Sequence, residues 1–303
     1  MTGAASRPPR SGALQRLVSG DSALPWLLPL IAFLIVFTIY PLVYNIWLSF
    51  HEYNPMRRSV EYVGGENWVA LWADERFWGS FAVTFVYFFV VLAVEVALGM
   101  AIALLLDGDG RGFGLLRSIL TLTLVIPPAI TGMMFLLMND PEFGVITYLL
   151  EGLGVLTSET PILATAPLAL IAVMIADIWQ WTPFMVLIFI AGLRSLPPEP
   201  YEAAMLDGAS SWQIFRRVTL PMMSRVIAVA VLVRGIDVFR MFDYVFTMTS
   251  GGPGTSTYVL PYYAWQQTFS FIKWGYGATL SLVMLALILI IANLFIWLAK
   301  VRW

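Results

Sequence analysis

The chain has 303 residues, of which 59% are hydrophobic and 12% charged, and its formal net charge is −2. This composition is typical of a protein that crosses a membrane several times, and we expect no nucleic-acid partner. One histidine and no cysteine exclude disulfides, thiolate metal sites and a histidine-based metal cluster. The sequence lacks a GxxxxGK(S/T) phosphate-binding loop, so we expect no enzyme and no cofactor bound by this chain, and any ATP that drives it must be hydrolysed by another chain.

Residues 1–20 are basic and rich in proline, glycine and serine, which predicts a disordered cytoplasmic tail ahead of a single transmembrane domain at 21–303. Apolar stretches follow that are long enough to cross a core of about 30 Å at roughly 1.5 Å per residue. We therefore predict an all-α polytopic membrane protein with six spans, at about residues 24–50, 79–106, 118–138, 166–193, 226–249 and 277–299. An interfacial helix is expected near Leu260–Phe271, where aromatic residues cluster.

The distribution of basic residues predicts the orientation of these spans. With the amino terminus inside, eleven lysines and arginines fall on the cytoplasmic side and four on the other. Because cytoplasmic loops carry the excess of positive charge, we expect both termini and the polar segment at residues 194–225 to lie in the cytoplasm. This segment is the long polar interruption in the second half of the chain.

Local signals divide the segment 194–225 into two short helices. Prolines stand at the start of a predicted helix Glu199–Leu206, where a missing N–H costs little. Gly208 offers the turn that follows, because glycine adopts left-handed conformations readily. A second helix is predicted over Trp212–Thr219, and we expect Pro221 to end it. Two helices joined this closely form a rigid projection.

A capping box is predicted at the start of the second helix. Ser210 is followed three residues later by Gln213. In such a pair the serine side chain accepts from the backbone N–H of the glutamine, and the glutamine side chain reaches back to the serine N–H.

This segment resembles the EAA loop of permease subunits of ATP-driven importers. The pattern EAAxxDGAxxxxxFxxIxLP is matched except at Val218, where isoleucine is usual, and the matching positions are Glu202, Ala203, Ala204, Asp207, Gly208, Ala209, Phe215, Leu220 and Pro221. In that family the loop is a cytoplasmic coupling helix that sits in a groove of the ATPase subunit. The resemblance implies that Glu202, Asp207 and Gly208 carry the coupling geometry and that Arg216 and Arg217 supply charge for docking.

A second motif narrows the resemblance. The sequence TSGGPGTST at residues 249–257 is similar to the TxGGPxxxT segment of carbohydrate-type importer permeases, which import di- and oligosaccharides, polyols and glycerol phosphates. The resemblance implies the six-span fold of type I ABC importer permeases, in a bacterial inner membrane. It also implies a second related permease, a dimeric ATPase that binds ATP and Mg²⁺, an extracytoplasmic solute-binding protein and a carbohydrate substrate as partners, with lipid around the spans.

Charged residues inside predicted spans are costly, at roughly 2.5–3.5 kcal/mol each on insertion scales, and need a reason. They are Glu95, Asp177, Arg234, Asp237, Arg240 and Asp243. The last four follow each other at i, i+3 steps, so neighbours can pair along one helix, although the row spirals and cannot face one cavity. This pattern indicates either an internal salt-bridge ladder or side chains that line a pathway. Four carboxylates against two arginines predict that two carboxylates lack a partner in the chain.

Residues suited to sugar binding occur in the fourth predicted span. Aromatic rings stack on sugar faces, and amide and carboxylate oxygens accept hydrogen bonds from hydroxyls. By resemblance to maltose-type permeases, the residues at pocket positions of this chain are Asp177, Gln180, Trp181, Phe184, Arg234, Val238 and Met241. Arg234, Val238 and Met241 differ from the small polar residues of maltose permeases, so the pocket is not expected to copy theirs.

Two other classes of protein compete with this interpretation. An ion- or proton-coupled secondary transporter would use Glu95 or Asp177 as its proton carrier. A membrane-embedded enzyme would need a cluster of nucleophile, base or metal ligands, for which the sequence offers one histidine and no cysteine.

Overall fold

The computed structural model describes residues 24–54, 59–108, 110–157 and 160–299. The predicted tail at 1–20 lies outside these residues. The described chain is mostly helical, as predicted, with one antiparallel hairpin of the strands β1 (His51–Asn54) and β2 (Ser59–Tyr62).

The helices follow each other with short connections. They are α1 (Leu24–Leu34), α2 (Tyr40–Ser49), α3 (Glu66–Ala73), α4 (Glu75–Leu106), α5 (Phe113–Thr121), α6 (Pro128–Met138), α7 (Val145–Gly152), α8 (Ala166–Arg194), α9 (Glu199–Leu206), α10 (Ser211–Ile214), α11 (Leu220–Met222), α12 (Ser224–Phe239), α13 (Asp243–Met248), α14 (Leu260–Trp265) and α15 (Trp274–Ala299). Wider π-helical turns lie at Ile35–Ile39, Phe215–Thr219 and Gln266–Ser270, and 3₁₀ turns at Leu122–Val125 and Ile162–Ala164.

The long helices α4 and α8 form the centre of the fold and run parallel to each other. Tyr87 contacts Asp177 near the middle of α8, and Gly99 packs against Met185 further along. A Cβ at Gly99 would lie 2.5 Å from the Cβ of Met185. Glycine is therefore required here because the two backbones approach closely.

The helix α12 crosses this pair in the opposite direction. Near its start, Met223 packs against Gly192 at the end of α8, where a Cβ would lie 2.8 Å from the methionine Cε. At its other end, Phe239 meets Phe88 of α4 edge-on, with ring centroids 6.1 Å apart. Three helices thus share one core at the level where Arg234 lies.

The parallel course of α4 and α8 gives the molecule two distinct ends. At the first, which we call the loop end, Arg194 pairs with Asp107 at 3.3 Å, and Arg117 donates to the carbonyl of Gly108 at 2.8 Å. At the second, which we call the hairpin end, β1 packs against α15. His51 lies so close to Gly275 there that a Cβ on the glycine would meet the His51 carbonyl oxygen.

Four of the described helical stretches are long and apolar enough to cross a membrane: Trp26–Ser49, Glu75–Leu106, Ala166–Arg194 and Trp274–Trp297. A fifth is possible if the bent pair Phe113–Val125 and Pro128–Met138, which meet at 97°, is one span. The bend follows from Pro127 and Pro128, because neither can donate a backbone hydrogen bond. The third predicted span is therefore broken rather than straight.

The fifth predicted span, 226–249, is also interrupted. The helix α12 ends at Phe239 and α13 begins at Asp243, with Phe242 between them at φ −130° and ψ −45°. The segment lacks a proline or glycine at the break, so the interruption comes from packing. The tight contact of Gly132 in α6 with Thr247 in α13 fixes the second piece separately.

The segment 194–225 forms the predicted helical projection. The helix α9 has the predicted bounds, Gly208 adopts φ +75°, and the capping box joins Ser210 to Gln213 in both directions. The hydroxyl of Tyr201 donates to Thr219 at 3.1 Å, which ties the first helix to the second and makes the projection rigid.

The prediction that Pro221 ends the second helix is wrong. The chain stays in helical conformation through α10, the π-helical turn Phe215–Thr219 and α11, and a single residue, Met223, separates it from α12. The π-helical turn Phe215–Thr219 ends two residues before Pro221. Its wider hydrogen-bond spacing accommodates the backbone hydrogen bond that a proline cannot donate, so the chain remains helical through Pro221. The projection is therefore joined almost directly to α12, which carries Arg234.

Candidate functional site

The site is centred on one buried arginine. The guanidinium of Arg234 in α12 contacts Glu95 of α4 through two hydrogen bonds of 2.8 Å, from Nε to Oε2 and from Nη2 to Oε1. Its Nη2 also donates to Oδ1 of Asp177 in α8 at 2.5 Å, and its Nη1 to Oδ2 of Asp237 at 2.5 Å. We call these four side chains the Arg234 cluster. One cation thus joins carboxylates from three helices.

The cluster is shielded from solvent on its inner side. The exposed fractions of Arg234, Glu95 and Asp177 are 2%, 0% and 1%, whereas the side chain of Asp237 is 50% exposed. The second oxygen of Asp177 accepts a hydrogen bond from the hydroxyl of Tyr87 at 2.8 Å. Burying a charge is tolerated only when it is paired and hydrogen-bonded, and each inner member of the cluster meets this condition.

An open pocket of about 340 Å³ lies on the outer side of the cluster. Its polar and aromatic lining consists of Trp181, Phe184, Arg234, Asp237 and Arg240. The indole ring of Trp181 lies over the Arg234 guanidinium at 4.9 Å, a distance suited to a cation–π interaction. The exposed carboxylate of Asp237 is the hydrogen-bond acceptor that faces this space.

Hydrogen bonds fix the aromatic wall. The indole N–H of Trp181 donates to the hydroxyl of Tyr244 at 3.1 Å, and that hydroxyl donates to Oε1 of Gln180 at 2.7 Å. The amide nitrogen of Gln180 donates to the carbonyl of Ile126 at 2.6 Å, just before the proline bend. Gln180 is therefore a support behind the pocket rather than part of its lining, and it links α8 to the bent segment and α13.

The structure brings some of the predicted pocket residues together and separates others. Trp181, Phe184 and Arg234 line the pocket. Asp177 does not line it, but it forms an ion pair with Arg234 behind the pocket wall. Val238 and Met241 are 2% and 8% exposed and lie in the hydrophobic core. The reason is geometric. At 100° per residue, Val238 lies about 40° round the helix from Arg234 on the side away from Asp237 and the pocket, and Met241 follows the end of the helix.

The predicted salt-bridge ladder forms only its first step. Arg234 pairs with Asp237, but within the described residues neither Arg240 nor Asp243 makes an ion pair. The physical cause is the end of α12 at Phe239, which removes the i, i+3 geometry from the later pairs.

The expectation that two of the four carboxylates lack a partner is corrected accordingly. Glu95, Asp177 and Asp237 all contact Arg234. The remaining one, Asp243, is exposed at the start of α13. A single guanidinium has five N–H donors in a planar fork, which is why one cation can serve three carboxylates.

The sequence did not single out Tyr87 or Tyr244. Both are aromatic residues in strongly apolar segments, and both are 2% exposed or less. A buried tyrosine hydroxyl usually finds a polar partner, so the signal was available, but which partner it finds depends on how the helices cross. Among the described residues, no group of three or more His, Cys, Asp or Glu side chains is placed to hold a metal ion.

The residues of the predicted coupling loop form a second exposed surface at the loop end. Of the residues that match the EAA pattern and the two adjacent arginines, those exposed are Glu202, Ala203, Asp207, Gly208, Arg216, Arg217, Leu220 and Pro221, while Ala204, Ala209 and Phe215 are partly buried. Large apolar side chains stand among them: Met205, Leu206 and Trp212 are 60%, 89% and 67% exposed. An apolar patch rimmed by charges is typical of a protein–protein contact.

Together, membrane-length helices around a buried ion cluster, an adjoining pocket and an exposed helical projection define a membrane permease subunit. Residues 95–301 match the family described as binding-protein-dependent transport system inner membrane component. This match covers more than half of the chain, so the chain belongs to that family. Its members are permease subunits and not enzymes, and the ATPase is a separate chain.

Several relatives share most of the chain. It is 35% identical over 263 residues to the trehalose/maltose transport system permease protein of Thermococcus litoralis, covering 87% of this chain and 88% of that one. It is 31% identical to the trehalose transport system permease protein of Mycobacterium tuberculosis, covering 88% and 85%. It is also 31% identical to the sulfoquinovosyl glycerol transport system permease protein of Agrobacterium fabrum, covering 90% and 87%.

The fold is similar to that of a solved transporter. A crystal structure of a bacterial ABC transporter involved in the import of the acidic polysaccharide alginate superposes with a TM-score of 0.79 at 20% identity, covering 91% of this chain and 94% of that one.

The Arg234 cluster leads to a testable prediction about the stability of the protein. Substituting Arg234→Met leaves Glu95 and Asp177 buried without a cation, and removal of one partner of a buried pair costs roughly 3–5 kcal/mol. We expect a large fall in the thermal unfolding temperature of the detergent-solubilised protein. The control Arg240→Met removes an exposed arginine that makes no ion pair within the described residues, and it should leave the unfolding temperature unchanged.

A second substitution tests whether the loss of stability comes from the carboxylates left without a cation. Adding Glu95→Gln to Arg234→Met removes one of the orphaned charges and should recover part of the lost stability. If Arg234→Met unfolds at the same temperature as the native protein, the cluster does not stabilise the fold as described.

Proposed function

We propose that this chain is one permease half of an ATP-driven, binding-protein-dependent importer of a carbohydrate. The observation that carries the proposal is the pocket at the Arg234 cluster, where Trp181 and Phe184 stand beside the carboxylate of Asp237. An aromatic face next to a carboxylate acceptor matches the two sides of a sugar ring, its C–H face and its hydroxyl rim. Family membership and the sugars in the names of three relatives support the same conclusion.

In this proposal the chain crosses the membrane six times, with both termini and the loop end in the cytoplasm. The broken stretches, α5 with α6 and α12 with α13, are then two of the six crossings. Interrupted helices are tolerated at membrane depth where they line a cavity or are covered by protein. Both interruptions adjoin the site, since Ile126 contacts Gln180 and Phe239 ends the helix that carries Arg234.

Arg234 itself is occupied in this structure. Four hydrogen bonds to three carboxylates engage its fork, so it offers little to an anionic group on a solute. We therefore assign Arg234 a structural role in the wall of the pathway. We assign the contacts with the sugar to Asp237 and Arg240, which are exposed, and to Trp181, which is partly exposed.

The mechanism follows from how the parts are joined. The projection α9–α11 would dock on the ATPase through Leu206 and Trp212, with Arg216 and Arg217 beside them. Because α11 leads almost directly into α12, movement of the projection passes to Arg234 and, through the cluster, to α4 and α8. These three helices then move as one body against a second permease when ATP closes the ATPase dimer.

The alternative, a proton-coupled secondary transporter, requires a carboxylate that exchanges protons with water during the cycle. Glu95 and Asp177 are both held by Arg234 and are 0% and 1% exposed. This pairing with Arg234 favours a fixed structural role for both carboxylates over a role as proton carriers. A proton-coupled transporter would also give no function to the exposed projection α9–α11.

Trp181 tests the assignment of the pocket. In the complex assembled with its partners in liposomes, we expect Trp181→Ala to lower ATP-dependent sugar uptake about tenfold, the equivalent of roughly 1.4 kcal/mol of lost binding. The matched control is Trp179→Ala, which removes the same side chain two residues away, where it packs against Phe135 at 5.6 Å outside the pocket. Equal losses in the two variants would contradict the assignment.

Gly208 tests the coupling. Its φ of +75° is strained for β-branched residues but accessible to asparagine. We expect Gly208→Val to abolish most of the stimulation of vanadate-sensitive ATPase activity by sugar and binding protein, and Gly208→Asn to keep it. The measurement is ATPase activity of the purified complex in liposomes, with assembly verified for each variant.

The same assay separates the classes of protein. If no ATPase copurifies with the chain and uptake follows a proton gradient, the importer assignment fails. If stimulation is equal in the two Gly208 variants, the chain is a permease whose coupling does not depend on the geometry of this turn.

A further inference from the structure

An exposed apolar surface covers the short helix α7 and the turn ahead of it. Its large side chains are between 49% and 75% exposed, and they are Phe143, Val145, Tyr148 and Leu149. The chain runs from α7 through the 3₁₀ turn Ile162–Ala164 into the start of α8, which lies at the hairpin end. We call this region the α7 surface. Large apolar side chains that are exposed together mark a contact with another molecule.

A small pocket of about 320 Å³ opens on the α7 surface. The side chains that matter for its chemistry are two carboxylates, Glu142 and Glu151, and two aromatic rings, Phe143 and Tyr148. Neither carboxylate makes an ion pair within the described residues. Carboxylates and aromatic faces both attract cations, so the pocket suits the end of a positively charged side chain.

The turn ahead of α7 is already ordered. One carboxylate oxygen of Asp140 accepts the backbone N–H groups of Glu142 at 2.8 Å and of Phe143 at 3.3 Å. The backbone N–H of Gly144 donates to the carbonyl of Asp140 at 3.0 Å. A Cβ on Gly144 would lie 2.4 Å from that carbonyl oxygen, so the close turn requires glycine. Because the backbone on this side of the pocket is fixed, a partner does not have to order it on binding.

The charges of this part of the chain decide which kind of partner fits. The segment 139–165 contains four acidic residues and no lysine or arginine. Helices that lie on a membrane surface are rich in lysine and arginine on their polar face, whereas α7 carries neither. The charges therefore favour a protein over a bilayer. They select a protein face that presents lysine or arginine beside an apolar contact, since opposite charges attract across an interface.

We propose that the α7 surface is the docking surface for the solute-binding protein of this transporter, which inserts a lysine or arginine side chain between Glu142 and Glu151. The identity of the partner rests on the proposed function, which places the hairpin end outside the cytoplasm. The position of the contact and the positive charge of the docking face rest on the α7 surface alone.

The test is the affinity of the purified solute-binding protein for the full transporter complex in lipid nanodiscs, measured by surface plasmon resonance at low and at high potassium chloride concentration. We expect the double variant Glu142→Gln with Glu151→Gln to bind about tenfold more weakly at low salt. Its affinity should also depend less on salt, because fewer charges are left to be screened. Tyr148→Ala should weaken binding about fivefold at both salt concentrations, because it removes an aromatic contact and no charge.

Matched controls lie at the same end of the molecule. Glu52→Gln with Glu61→Gln removes two exposed carboxylates that face each other across the β-hairpin. Tyr62→Ala removes a tyrosine whose exposure, 71%, is close to that of Tyr148. Both controls should leave the affinity and its salt dependence unchanged.

The proposal is overturned if Glu142→Gln with Glu151→Gln binds as tightly as the native complex, or if the control pair weakens binding as much. It is also overturned if this variant loses the second permease on purification, because the α7 surface would then be a contact between permeases. Normal binding by this variant, with ATPase activity still stimulated by the solute-binding protein, would contradict the docking surface alone. If the native complex neither binds a solute-binding protein nor is stimulated by one, the proposed function fails, and the docking surface fails with it.

Discussion

The neutralisation of Arg234 is the constraint on which the rest of the structure depends. A guanidinium that is 2% exposed must be matched by nearby negative charge, and two of its three carboxylate partners come from other helices. This requirement fixes the rotation of α4, α8 and α12 about their own axes, since each must turn one residue inward at the same level. The close packing of Gly99 and of Gly192 against neighbouring helices then sets how near the three axes lie.

The same constraint connects the pocket and the exposed projection, the two surfaces to which we assign roles in transport. The pocket is the outer side of the cluster, where Asp237 and Trp181 remain accessible, and the exposed projection is joined to the cluster through α11 and α12. Hydrogen bonds from Trp181 through Tyr244 and Gln180 to Ile126 extend this rigid framework to the proline bend. The pocket and the exposed projection, to which we assign solute contact and ATPase contact in the proposed function, are therefore two ends of one connected framework.

The sequence predicts well what local chemistry decides. The bounds of α9, the turn at Gly208 and the capping box at Ser210 follow from signals within a few residues. The break after Phe239 could not be predicted, because it carries no proline or glycine and results from packing against α6. Likewise, the charges of the site were visible in the sequence, but the choice of Glu95 and Asp177 as partners of Arg234 joins positions 139 and 57 residues apart. That choice depends on helix crossing, which residue types do not encode.

The most direct test of the central claim is the distance between helices during the ATPase cycle. The chain has no cysteine, so spin labels can be placed at exposed positions without other changes, in the pairs Leu105 with Ile171 and Val229 with Ile171. Pulsed electron resonance on the assembled complex would compare the nucleotide-free and vanadate-trapped states. We expect both distances to stay unchanged while distances to the partner permease shift. A change within either pair would show that α4, α8 and α12 do not move as one body, and the role given to Arg234 would be wrong.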